Sequence, residues 1–189
     1  MDRDTPLRLR LRVTLKLMGL FALASFVVLL ISGLFSRPGG NIQLPLEVDL
    51  RGIDAGEELR LSWNGRRVLV LHRDRGMFEA LAEDEALYDP ASRFDRRPRG
   101  MSAPHRGWAP EWLVVYAEST DLGCDLEIVL PGAGAEAGWE GGFRDRCRQG
   151  RYDFAGRVYK GQPAMRNLEI PPHRIDGMRL ILGAAHTGR

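Results

Sequence analysis

Cysteine occurs only twice and histidine only four times in this 189-residue chain, aromatic residues make up 8%, and the formal charge is only +2. Two cysteines are too few for a four-thiolate zinc or iron site. The four histidines, His72, His105, His173 and His186, stand too far apart for metal-ligand spacing and read as surface residues. Ser119-Thr120-Asp121 has no histidine placed to act as its base, which excludes a serine-nucleophile reading. So small a net charge excludes nucleic acid as a partner. There is no internal repeat and no low-complexity segment.

The charge that is present sits at one end. Residues 1–16 hold five basic side chains, Arg3, Arg8, Arg10, Arg12 and Lys16, against Asp2 and Asp4. An uncharged apolar run, Leu17 to Phe35, follows at once. As a helix its nineteen residues would be about 28 Å long, just enough for a bilayer core. A signal peptide is the competing reading, but its apolar region is shorter and ends in small residues. This run ends in Phe35-Ser36-Arg37-Pro38, so an uncleaved transmembrane helix over 17–35 is expected. The positive-inside rule leaves residues 1–16 in the cytoplasm and exports the rest, into the periplasm for a bacterial inner membrane. Membrane lipid is then one partner. Both cysteines, Cys124 and Cys147, fall in the exported part, where they read first as a disulfide and otherwise as two unrelated thiols.

Pro38 and the two glycines after it make residues 36–43 a hinge. Beyond it the pattern is that of strands. Leu44 to Leu50 alternates, and two alternating runs flank Asn64-Gly65, which predicts a type I′ hairpin. Met77, Leu81 and Leu87 carry a weak helical spacing, whereas Tyr88 to Pro110, rich in proline, glycine and arginine, reads as a loop with its arginines in solvent or, as the alternative, forming a docking patch. Further short strands are expected in EWLVVYAE, LEIVL, GRVYKG, NLEI and MRLILG. Residues 44–189 therefore read as a small all-β domain.

Two stretches stand apart, ESTDLGC (Glu118 to Cys124) and RDRCRQG (Arg144 to Gly150). The chain continues with Tyr152-Asp153, Gly156-Arg157-Val158, Gly161, Pro163-Ala164, Asn167-Leu168 and Pro171-Pro172. Together these resemble the cluster-binding region of the Rieske iron–sulfur proteins of cytochrome bc1 and b6f complexes. There the loops read C-T-H-L-G-C and C-P-C-H-G-S, ahead of a tail of this form. The resemblance implies a Rieske-like small antiparallel β-sandwich head behind one N-terminal transmembrane helix. It also implies a disulfide between Cys124 and Cys147.

The departures fall on the chemistry. A Rieske [2Fe–2S] centre takes two cysteines on one iron and two histidines on the other. Carried over, the cysteine ligands fall on Ser119 and Asp145 and the histidine ligands on Asp121 and Arg148. A guanidinium stays protonated and offers no lone pair. The resemblance thus implies no metal and no cofactor, with the [2Fe–2S] cluster lost. A serine that hydrogen-bonds a cluster sulfur in the family corresponds to Gly150, and a tyrosine of similar role to Tyr152. A carboxylate–guanidinium contact among Asp121, Asp145 and Arg148 is expected to close the tip. The N-terminus lacks the arginine pair that cluster-bearing relatives use for folded export.

The leading expectation is a non-catalytic, cluster-free subunit, structural or assembly-related, of a respiratory membrane complex of bc1 or oxidase type. A second is an iron–sulfur electron-transfer subunit of a ubiquinol–cytochrome c reductase. A third, of a different class, is a periplasmic module whose vacated cleft binds a small ligand or cation.

Overall fold

The computed structural model describes residues 5–35, 44–95, 97–98, 100–101, 104–133 and 138–184, with side chains from residue 10 to 32 in the first segment. The hinge expected at 36–43 and the tail with His186 lie outside the described residues. The chain divides into two units, Met1–Ile42 and Gln43–Arg189.

The first unit is a single helix, α1 (Thr5–Phe35). It begins well before the apolar run, because the leucines, arginines and lysine preceding that run are themselves good helix formers. Its stretch Arg10–Ser32 has a mean hydropathy of 2.3. At about 35 Å it is long and apolar enough to cross a membrane. Its large apolar side chains from Leu11 to Ile31 are exposed within this unit.

The second unit carries β1 (Leu46–Asp49), β2 (Glu58–Trp63), β3 (Arg66–His72), the short α2 (Arg75–Glu79), a 3₁₀ turn at Asp84–Ala86, β4 (Trp112–Tyr116), β5 (Leu126–Val129), β6 (Gly142–Asp145), β7 (Arg151–Tyr152), β8 (His173–Asp176) and β9 (Arg179–Leu182). All pairings are antiparallel, in three three-stranded sheets ordered β1-β9-β8, β2-β3-β4 and β5-β6-β7. The all-β expectation holds.

The middle sheet buries both faces, and its alternation says how. Leu69, Leu71, Leu113 and Val115 join a core with Leu126, Phe143 and Tyr152 of the β5-β6-β7 sheet. Val68, Val70, Trp112, Val114 and Tyr116 point the other way, into a core with Leu50, Leu180 and Leu182. A strand covered on both sides reads as a continuous apolar run, which is what WLVVY and VLVL are. The hairpin between β2 and β3 turns on Asn64 (φ 50°) and Gly65 (φ 77°), the two positive angles that a type I′ turn requires.

Several expectations need correction. The helix expected from Met77 to Leu87 breaks into α2 and the 3₁₀ turn. Asp74 caps α2 through the Met77 N–H, and Leu87 leaves the helical path to bridge Tyr159. GRVYKG and NLEI form no strand of their own; Val158 and Tyr159 make isolated bridges, and Asn167 serves as a side-chain staple. Strands β6, β7 and β8, too short and charged to show a period, are found only in the fold.

The arginines of the 88–110 loop are not all in solvent. Arg106 is fully buried, and all five of its N–H groups find oxygen: Asp95 twice, and the carbonyls of Ala155, Gly156 and Leu168. Two histidines also depart from the surface reading. His173 is buried, and His72 stacks on Trp112 with its Nδ1 2.8 Å from the Ile53 carbonyl.

Candidate functional site

The two motif loops, one between β4 and β5 and the other between β6 and β7, face each other. The first follows β4. Ser119 N–H donates to the Cys124 carbonyl at 2.8 Å, Gly123 N–H returns to the Ser119 carbonyl at 3.1 Å, and Cys124 N–H donates to Ser119 Oγ at 3.3 Å. Gly123, at φ 70°, takes the left-handed turn this closure needs.

The second loop leaves the end of β6. Asp145 and Gly150 close it, N–H to carbonyl, at 2.8 Å, and Gln149 N–H donates to the Asp145 carbonyl. Asp145 is 1% exposed, and its Oδ1 accepts from the N–H groups of Cys147 at 2.7 Å and Arg148 at 3.4 Å. Such a carboxylate organises the turn around itself.

Three links join the loops. Cys124 and Cys147 form a disulfide, with Cα atoms 6.0 Å apart. Arg146 N–H donates to the Asp125 carbonyl. At the tip, Arg148 Nη1 lies 2.8 Å from Asp121 Oδ2. This ion pair is half exposed on the arginine side and contributes only about 0–1 kcal/mol. Of the three charged residues expected to meet there, Asp121 and Arg148 do so through their side chains, while Asp145 turns inward to backbone.

Tyr152 supports the first loop from below. Its hydroxyl accepts from Thr120 N–H at 3.2 Å and lies 3.2 Å from Thr120 Oγ1, which itself donates to the Arg166 carbonyl. Burial is the main cause that pushes the Tyr152 phenol above its ordinary range, opposed by the bonds from Thr120. A raised folded-state value means stability present in full below the unfolded phenol's value near 10 and lost as pH rises toward the folded one. Tyr152→Phe is expected to cost about 1 kcal/mol in urea unfolding and to flatten part of that alkaline decline.

The tail motif that carries the resemblance is scaffold. Asp153 Oδ1 accepts from the N–H groups of Ala155 and Arg157, and its Oδ2 pairs with Arg157. Gly156 has φ 70°, and a Cβ there would lie 3.0 Å from Arg106 Nη1. Asn167 accepts from Val158 N–H and donates to the Asp89 carbonyl and Ser92 Oγ.

A [2Fe–2S] cluster with two sulfur and two imidazole ligands does not fit this donor set. Arg148 has no lone pair and is paired with Asp121. Ser119 and Asp145 offer oxygen at the two positions where such a cluster takes thiolate sulfur. No described histidine stands among the residues of the two loops, and both sulfurs are bonded to each other. A cleft of about 410 Å³ opens beside the first loop, lined by Arg66, Glu118, Asp121, Arg166 and Glu169 among others. Its charges are mixed, and Arg66 already pairs with Glu118 and Glu169. Sequence reasoning missed Arg106 and the equally buried Arg73, since an arginine in a loop carries no periodic signal.

No family model matches the chain. The ubiquinol-cytochrome c reductase iron-sulfur subunit of Allochromatium vinosum is 36% identical over 157 residues, covering 81% of this chain and 74% of that protein. The protein of the same description in Blastochloris viridis is 34% identical over 143 residues, covering 74% of this chain and 71% of its own length. The mitochondrial cytochrome b-c1 complex subunit Rieske of Saccharomyces cerevisiae is 36% identical over 140 residues, 73% of this chain and 57% of its own length. Among solved structures, a chain of a hyperthermophilic respiratory Complex III matches over 92% of this chain at a TM-score of 0.43 and 18% identity.

Proposed function

The chain belongs to the Rieske iron–sulfur subunits of ubiquinol–cytochrome c reductase, and on that premise we propose that it serves such a complex without carrying a cluster. It is then a structural or assembly subunit, anchored by α1 in a bacterial inner membrane with its N-terminus in the cytoplasm and its head in the periplasm. The observation that supports this reading is the Asp121–Arg148 pair, formed at the two positions onto which the sequence resemblance carries the family's imidazoles. An ion pair between two loops already joined by a disulfide closes the tip with the protein's own atoms.

Similarity alone favours a second reading, because the relatives are named as iron–sulfur subunits. On that reading the chain transfers electrons through a cluster. The two differ in one measurable quantity. Chain purified from its native membrane in mild detergent is expected to bring other subunits of the reductase with it and to hold only trace iron and acid-labile sulfide. Two irons and two sulfides per chain, the content of one such cluster, would establish the second reading instead. The variant carrying Ser119→Cys, Asp121→His, Asp145→Cys and Arg148→His is expected to gain iron and sulfide over the unaltered chain.

A further inference from the structure

We infer that reducing the Cys124–Cys147 disulfide converts the tip into a mononuclear site for a zinc-type cation, with Cys124, Cys147 and Asp145 as its protein ligands. The sulfurs of both cysteines and a carboxylate oxygen of Asp145 all lie within 4.8 Å of one another. Zinc bonds of ~2.3 Å to sulfur and ~2.0–2.2 Å to carboxylate oxygen, in a tetrahedron, would set the two sulfurs roughly 3.8 Å apart. Cysteines whose Cα atoms are 6.0 Å apart reach that separation by side-chain rotation once the bond between them is gone.

The carboxylate is prepared for this role. Asp145 is 1% exposed, held at the end of β6, and its Oδ1 is oriented by the N–H groups of Cys147 and Arg148. Outer bonds of this kind fix a ligand's direction and tune its affinity. The nearby cations oppose a metal less than their number suggests. Arg148 is paired with Asp121, and Arg146 lies 3.7 Å from Glu127.

In the oxidised chain the sulfurs share a covalent bond and neither is a thiolate, so the site does not exist. A dithiol reductant supplies two electrons and two protons. The sulfur–sulfur bond breaks, two thiols form, and the dithiol becomes a disulfide. The cation then displaces both protons to solvent and binds two thiolates and the Asp145 carboxylate, with water in the fourth position. The loops are crosslinked in both states, by sulfur–sulfur in one and by sulfur–metal–sulfur in the other.

The inference is independent of whether a cluster is present, since a cluster would appear as iron and sulfide in the oxidised chain. The test uses full-length protein in detergent, without oxygen, reduced by a phosphine because a thiol reagent would compete for metal. Zinc is titrated against a chromogenic chelator, and Co²⁺ is substituted to read its spectrum. One Zn²⁺ per reduced chain and none per oxidised chain is expected, with thiolate-to-metal charge-transfer bands for Co²⁺. Cys147→Ala, at an exposed position, should abolish stoichiometric binding, and Asp145→Asn should weaken it ~10-fold or more. If Asp145→Asn fails to fold, the Co²⁺ spectrum of the unaltered chain still decides. A reduced chain that takes up no stoichiometric zinc, shows no thiolate bands, or binds equally after Cys147→Ala would overturn the inference.

Discussion

Arg106→Met leaves the head domain unfolded or nearly so, with an expected loss of about 3–5 kcal/mol. The guanidinium is fully buried and gives all five of its N–H groups to oxygen. Removing it leaves Asp95, whose side chain is only 3% exposed, with only Arg97 at 3.9 Å, and takes the guanidinium from the carbonyls of Ala155 and Leu168, while Gly156 keeps the Leu168 N–H. A buried carboxylate without its close cation and two carbonyls, of Ala155 and Leu168, without the guanidinium's N–H groups cost far more than the lost attraction, because each must be desolvated without compensation. Burial, the largest influence on this arginine, pushes its own pKa down, which Asp95 opposes. Arg106→Lys is expected to rescue little, since an ammonium offers three donors from a single point and cannot span acceptors on three segments. Urea unfolding followed by tryptophan fluorescence measures both variants. A variant within about 1 kcal/mol of the parent would show that the clamp is not what holds residues 95, 155–156 and 168 together.

Converting both Cys124 and Cys147 to serine lowers the stability of the head by about 3 kcal/mol, the chain-entropy value for a crosslink spanning 23 residues. For a domain of this size that is a fall in Tm of roughly 6–12 °C. The fold nevertheless survives, because the loops retain their own closures. Ser119 N–H still meets the Cys124 position's carbonyl, Asp145 still meets Gly150, and Arg146 N–H still reaches Asp125. Adding Asp121→Asn to the serine pair should remove at most ~1 kcal/mol more, since the ion pair sits in water. Differential scanning calorimetry of the oxidised chain and the serine variant reads the first effect, and urea titration the second. A serine variant as stable as the parent would mean that the backbone bonds alone hold the loops.

The legible parts of this protein are those with a period or a motif. The apolar run became α1, and Asn64-Gly65 became a tight turn with both angles positive. The runs VLVL and WLVVY became the middle strands buried on both faces. The two loop motifs carried the family resemblance, and with it the pairing of Cys124 with Cys147. Asp121 opposite Arg148 was also foreseeable, as opposite charges at facing motif positions.

Other features left no trace along the chain. Arg106 and Arg73 look like solvated loop arginines until the fold surrounds them with carbonyls from segments far away in sequence. His173 and His72 look like surface histidines until Pro171, Ile53 and Trp112 close over them. Asp145 reads as a partner for Arg148, yet it faces inward and binds the backbone of its own turn.

The amino-acid sequence by itself determined which positions are apolar, where the chain turns, and which elements stand at the four positions between the loops, because those properties belong to single residues and their spacing. Tertiary structure alone decided which polar groups are buried and whom they meet. A guanidinium or carboxylate has many partners available in an unfolded chain, and only packing that excludes water at 106, 145 and 153 selects one set and makes losing it costly.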